Sequence, residues 1–235
     1  MFPSFRILKN FLFDAVFPRM CLGCGKDAED RESFLCAACR NGLPRAQWVS
    51  CGACGGRVAS FADFCHIRTS FPIIAAFSYE SETVRSLAKH LKYKHIRGIA
   101  GLFGAFLADA YGILIEDDGN TIVVPVPLHL IRAWKRGYNQ ADLIATAFAV
   151  RMGLRVERSA LVRVRMTRPQ TSLSAKRRQD NMRGAFIAPE PARVAGKRII
   201  LVDDVFTTGA TMREAAACLR HAGAKRVIGL VAARV

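Results

Sequence analysis

The sequence predicts an α/β protein with a mainly parallel sheet and a small cysteine-rich domain at its N-terminal end. Three observations lead there. After Phe71, apolar strand-like runs alternate with amphipathic helical stretches, the pattern of right-handed parallel crossovers. Seven of the eight cysteines fall between Cys21 and Cys65. The run Arg198 to Met212, RIILVDDVFTTGATM, joins a β-branched apolar strand, two acids and a small-residue loop to a helix start.

The first twenty residues place Phe2, Phe5, Leu8, Phe11, Leu12, Ala15 and Val16 at near-helical spacing among Arg6, Lys9 and Asp14. An amphipathic helix over 1–20 follows, interrupted by charge, too short to span a bilayer and without a small-residue cleavage site. The protein is therefore expected in the cytoplasm. This helix is expected to dock on its own domain, with peripheral membrane contact as the alternative.

Residues 21–68 form the cysteine-rich domain. Cys21/Cys24, Cys36/Cys39 and Cys51/Cys54 are C-x-x-C pairs, a gap that lets two thiolates reach one tetrahedral zinc ion. The first two pairs predict a closed structural zinc site. Cys51, Cys54 and Cys65 are candidate ligands of a second site, which either takes His66 or another residue as fourth ligand or is absent altogether, because Arg68 stands where a further cysteine would complete a fourth pair. Disulfides are the competing reading, disfavoured in a reducing compartment.

Residues 72–235 supply the main domain. Phe71 to Tyr79 reads as a strand; Val84, Leu87, Ala88 and Leu91 define one helical face, and Ile99, Leu102, Phe103, Phe106, Leu107 and Ala110 another. Thr121 to Val126 is a buried strand, followed by a helix with Leu143, Ile144 and Ala147 inward and Gly153 as its stop. Residues 163–184 are basic, weakly periodic and broken by Pro169, which predicts a flexible loop whose Arg168, Arg177, Arg178 and Arg183 can meet an anion. The motif strand and helix come next, then a last strand over Arg226 to Ala232. Cys218 shares a helical face with Ala215, Leu219 and Ala222, a core position.

At 235 residues and 51% hydrophobic content the chain can hold one α/β domain and a small appendage. Its net charge of +16 favours anionic partners, phosphate-rich ligands or nucleic acid, without choosing between them. The Asp203–Asp204 pair, at the carboxyl end of its strand, lies where open α/β sheets bind ligands. Adjacent carboxylates suit the vicinal hydroxyls of a ribose, while the backbone N–H groups and hydroxyls of Thr207, Thr208, Gly209, Ala210 and Thr211 suit its 5′-phosphate. Thr211 and Glu214 read as a capping box opening the next helix.

This run resembles the phosphoribosyl pyrophosphate (PRPP) motif of type I phosphoribosyltransferases. With the C-x-x-C pairs, LKYK at Leu91 to Lys94, VVPVPLH at Val123 to His129, RGYNQ at Arg136 to Gln140, PQTSLS at Pro169 to Ser174, and RGAF at Arg183 to Phe186, nearly the whole chain resembles the ComF family of competence-associated proteins. The resemblance implies a double zinc ribbon followed by a phosphoribosyltransferase-like (PRTase-like) domain. It implies that Val126, Pro127, Leu128 and His129 hold pyrophosphate, that PQTSLS and the following arginines, Arg178 among them, form the active-site loop, that Asp203 and Asp204 hold the ribose, and that Mg²⁺ accompanies PRPP. Ser172 stands where the family loop commonly has glycine.

Two functions from different classes follow. The protein either binds PRPP and transfers phosphoribosyl to a nitrogen acceptor, in the setting of DNA uptake and natural competence, or is a non-catalytic binder that engages single-stranded DNA or a competence partner through its zinc ribbon and basic surface. Two Trp and four Tyr leave little for base stacking, so the second would be mainly electrostatic and salt-dependent.

Overall fold

The structure is a computed structural model that describes residues 20–28, 34–45, 49–58, 66, 71–111, 119–166 and 182–235. The amphipathic stretch over 1–19, Cys65 and residues 167–181 of the basic loop, with Arg178, lie outside the described residues. The elements are α1 (Ala37–Asn41), β1 (Val49–Cys51), β2 (Arg57–Val58), β3 (Pro72–Ser78), α2 (Glu82–Tyr93), α3 (Ile99–Tyr111), β4 (Thr121–Pro125), α4 (Leu130–Arg136), α5 (Gln140–Met152), β5 (Arg155–Val156), β6 (Val162–Arg163), β7 (Phe186–Ile187), β8 (Arg198–Phe206), α6 (Ala210–His221) and β9 (Arg226–Arg234).

One seven-stranded sheet runs β2-β1-β3-β9-β8-β4-β5. From β3 to β5 every pairing is parallel, the mainly parallel α/β sheet expected from sequence; β1 and β2 add an antiparallel hairpin at the β3 edge. The cysteine-bearing hairpin is thus hydrogen-bonded directly to the main sheet, with Ser50 opposite Ile73.

Strand side chains alternate between two cores with period two. Ile74, Val123, Ile200, Val202, Ile228 and Leu230 face one side, where Leu87 and Leu91 of α2, Phe103 of α3, and Ile144 and Phe148 of α5 cover them. Ile73, Val124, Ile199, Leu201, Val227 and Val231 face the other, covered by Met212, Ala215, Ala216 and Leu219 of α6. Both faces being buried explains why these strands read as continuous apolar runs. Removing a fully buried Leu or Phe such as Leu87 or Phe103 is expected to cost about 2–5 kcal/mol. Helix α2 starts at Ser81, whose Oγ accepts the Val84 N–H at 3.4 Å, and α5 ends on left-handed Gly153. Half-buried Cys218 packs against the α6 core.

Two expectations are corrected. Arg163 does not belong to the flexible loop: it lies in β6, buried, paired to Phe186 of β7, so the loop's ends are clamped as a two-stranded ribbon. The capping box does not form either. Helix α6 begins two residues earlier, at Ala210 with Gly209 rather than Thr211 as N-cap, and Glu214 Oε1 instead accepts the Gly184 N–H at 2.5 Å. The left-handed turn at Gly209 overrode the Thr-x-x-Glu signal.

Candidate functional site

The site arises where two strands part. β4 and β8 pair up to Pro125 and Val202, and the Val126 N–H still donates to the Val202 carbonyl at 2.8 Å. Beyond that β4 leaves, whereas β8 stays paired with β9 through Phe206. Asp203 and Asp204 therefore sit past the last β4 partner but inside the β8–β9 ladder, at a strand end on one side only.

The departing chain from Val126 to His129 reaches α4, where His129 Nδ1 caps the helix by accepting the Ile131 N–H at 3.3 Å. Val126 is buried, while Pro127, Leu128 and His129 are half-buried. Asn139 braces this loop: its Nδ2 donates to the Val126 carbonyl at 3.0 Å and its Oδ1 accepts the Ala141 N–H at 3.1 Å at the start of α5. Tyr138 lies in the same segment, and its hydroxyl donates to the Leu91 carbonyl of α2. RGYNQ thus ties the loop to LKYK.

LKYK places a residue in the site that motif reading did not assign. Lys92 Nζ lies 2.6 Å from Asp204 Oδ2. Burial works against the lysine's charge, but Asp204 and then Asp203 outweigh it and hold its pKa above the ordinary value. Asp203 behaves differently: burial first, and the neighbouring Asp204 second, push its carboxyl up to about 7. Arg163 also bears on Asp203; its own pKa is lowered to about 10, by burial and then by the nearby Arg132. Lys92, Arg132 and Arg163 make the ground around the two acids cationic. Lys92 follows the buried Leu91 in the last turn of α2, and only the docking of that helix brings it to Asp204; no local pattern marks it.

On the far side of the acids, Thr207, Thr208 and Gly209 form the bend leading into α6. Gly209 has φ +76°, and a Cβ there would lie 2.5 Å from the Phe206 ring and 2.7 Å from Arg213 Nη1, so only glycine fits. Thr208 Oγ1 is buried with no hydrogen-bond partner among the described residues. Ala210 and Thr211 are already the first turn of α6, at the positive end of the helix dipole. Val126–His129, Asp203, Asp204 and Thr207–Thr211 thus gather at the carboxyl ends of β4 and β8.

The cysteines form two clusters. The sulfurs of Cys21, Cys24, Cys36 and Cys39 lie within 4.8 Å of one another, with Cys24 and Cys36 3.7 Å apart, close to the edge of about 3.8 Å expected for a Zn(Cys)₄ tetrahedron. Cys21 is buried, yet N–H groups of Cys24, Cys36 and Gly23 pull its pKa down to about 6, while burial and the other thiols push Cys39 up to about 12. Four thiols so placed fit one tetrahedral zinc ion. The second cluster holds Cys51, Cys54 and His66, with Cys51 Sγ 3.7 Å from His66 Nδ1. His66 is thereby brought to the ligand position that the sequence left open. No helix among the described residues is long and apolar enough to cross a membrane.

Two family models match different parts of the chain. The Phosphoribosyl transferase domain matches residues 115–234 and the Double zinc ribbon domain residues 12–67. Competence protein F of Haemophilus influenzae is 28% identical over 219 residues, covering 88% of this chain and 93% of that one. The DNA utilization protein YhgH of Salmonella typhimurium is 32% identical over 215 residues, covering 88% and 87%. Competence protein ComFC of Bacillus subtilis is 26% identical over 208 residues, covering 87% and 79%.

Proposed function

Because the chain belongs to the ComF family, a phosphoribosyl transferase domain behind a double zinc ribbon, we propose that it binds PRPP with Mg²⁺ and transfers phosphoribosyl to a nitrogen acceptor in cytoplasmic DNA utilization. The observation that carries this reading is the parting of β4 from β8 at Val202, which leaves Asp203 and Asp204 between the Val126–His129 loop and the Thr207–Gly209 bend. Asp203 and Asp204 accept hydrogen bonds from the ribose hydroxyls. Thr207, Thr208, Gly209, Ala210 and Thr211 take the 5′-phosphate, and the orphaned Thr208 hydroxyl supports that assignment because a phosphate oxygen would satisfy it. Val126, Pro127, Leu128 and His129 take pyrophosphate, with Arg178 of the basic loop meeting its charge.

In the reaction the bond from ribose C1 to the pyrophosphate oxygen breaks, a C1–N bond forms, pyrophosphate leaves with the electron pair, and the acceptor nitrogen gives up a proton. Bound Mg²⁺ supplies charge neutralisation on the pyrophosphate oxygens. Lys92, Arg132 and Arg163 add positive charge around the two acids, the preorganised electrostatics that favour a departing anion.

A second reading draws on the surface beside the site. Trp134 is 84% exposed and Tyr93 64%, with the Arg136 guanidinium 5.5 Å from the Tyr93 ring centroid. Aromatic faces next to Arg132, Lys135 and Arg136 suit single-stranded DNA held without catalysis. Calorimetric titration of zinc-loaded protein with PRPP and Mg²⁺, beside the Asp203→Asn/Asp204→Asn variant, tests the first reading. Micromolar binding lost in the variant supports it; no binding by the intact protein overturns it and leaves the DNA reading, whose affinity must fall steeply with salt.

A further inference from the structure

The second cysteine knuckle does more than extend the sheet, because its turn is hydrogen-bonded to the structure that shapes the Thr207–Gly209 bend. Two arginines make the join. Arg213 of α6 donates from Nη1 to the Ala53 carbonyl at 3.2 Å, between Cys51 and Cys54 in sequence. Arg234 at the end of β9 donates to the Gly55 carbonyl and the Ser50 hydroxyl, and its guanidinium lies 5.9 Å from the Phe206 ring centroid. Phe206 and Arg213 are the same two side chains that close on Gly209.

The position of Arg213 is otherwise unfavourable. It sits in the first turn of α6, where the helix dipole opposes a cation, and it is half-buried, which lowers its pKa. A partner must offset both. The knuckle provides the Ala53 carbonyl. In return the guanidinium lies against Gly209.

We propose that Arg213 is a positioning residue that couples the Cys51–Cys54–His66 knuckle to the phosphate-binding bend, so that an intact second knuckle is required for the bend to hold a phosphorylated sugar tightly. The part of this concerning ligand affinity rests on the PRPP reading; the coupling itself does not.

The test uses the full-length zinc-loaded protein and three variants, Cys54→Ser, Arg213→Ala and the double variant, with Arg213→Lys as the conservative control. The first readout is the Kd for PRPP with Mg²⁺. Each single variant is expected to weaken binding roughly tenfold and the double variant no further, because both remove one connection. The second readout is amide hydrogen exchange at Thr207, Thr208 and Gly209 without ligand, which should rise in Cys54→Ser and Arg213→Ala and be partly restored in Arg213→Lys. Zinc content is measured beside both, and thermal melts show that each variant is folded.

Unchanged exchange in a folded Cys54→Ser protein that has lost zinc from the second knuckle overturns the coupling. Additive losses in the double variant overturn it too, since they would mean that Arg213 acts on the ligand directly. If intact protein does not bind PRPP while exchange still rises in both single variants, the coupling stands and the ligand reading fails.

Discussion

Lys92 Nζ and Asp204 Oδ2 are 2.6 Å apart, and this pair joins the last turn of α2 to the strand that carries the site. Asp204 is buried and Lys92 mostly so, so neither charge can turn to water if the other is removed. Lys92→Met is expected to destabilise the protein by about 2–4 kcal/mol, whereas Lys92→Met combined with Asp204→Asn should recover much of that loss, because the second change removes the stranded charge. Urea denaturation at neutral pH checks both; equal destabilisation by the single and double variants would show that the pair does not act as a unit.

Asp203 sets a pH dependence of the opposite kind from an ordinary ion-paired carboxylate. Its folded-state pKa, about 7, lies above the unfolded value of 3.8, so the native state binds the extra proton between these limits. The stability Asp203 contributes is therefore present below pH 3.8 and is lost as pH rises through 7. Asp203→Asn is expected to be more stable than the parent at pH 8, by about 1 kcal/mol, and to match it near pH 4. Unfolding curves from pH 4 to 8 decide this, and a parent and variant that run parallel throughout would refute it. PRPP binding, which uses the ionised pair, should strengthen over the same interval in the parent.

The two cysteine clusters should fail differently. Cys21 is buried in the same core as Leu87 and Phe103, and Leu35 beside the first cluster is fully buried there too, whereas the second cluster hangs on the edge hairpin. Cys21→Ser is thus expected to lower the melting temperature more than Cys54→Ser, by a difference on the order of 5 °C. Calorimetric melts with zinc analysis check the order, which reverses if the hairpin rather than the first cluster supports the core.

Much of the architecture was legible because period-two and period-3.6 patterns report burial directly. Ile199 to Val202, and Val84, Leu87, Ala88 and Leu91, are buried as their spacing required. What escaped depends on long-range geometry. The helix start at Ala210 was displaced because left-handed Gly209 is enforced by Phe206 and Arg213, neither of which a local capping signal registers. Arg163 reads as one more basic loop residue, yet pairing with Phe186 buries it and turns it toward the acids. Lys92 is indistinguishable from Lys89 or Lys94 until α2 is docked against β8. The cysteine spacing indicated metal, but only the fold brings His66 to Cys51 and Cys54.

Thr208 offers a test in which stability and binding move in opposite directions. Its hydroxyl is buried without a partner among the described residues, a state that costs free energy in the ligand-free protein. Valine has nearly the same shape and no hydroxyl, so Thr208→Val is expected to be neutral or stabilising by about 0.5–1 kcal/mol in the absence of ligand. If the hydroxyl is kept for a phosphate oxygen, the same variant must weaken PRPP binding about tenfold, because a hydrogen bond to a charged acceptor contributes roughly 1.5–3 kcal/mol. Thr208→Ser, which retains the donor, should bind nearly as well as the parent. A paired urea melt and calorimetric titration read both quantities on one preparation. A Thr208→Val protein that loses stability while keeping its affinity would assign the hydroxyl to the fold and remove it from the site.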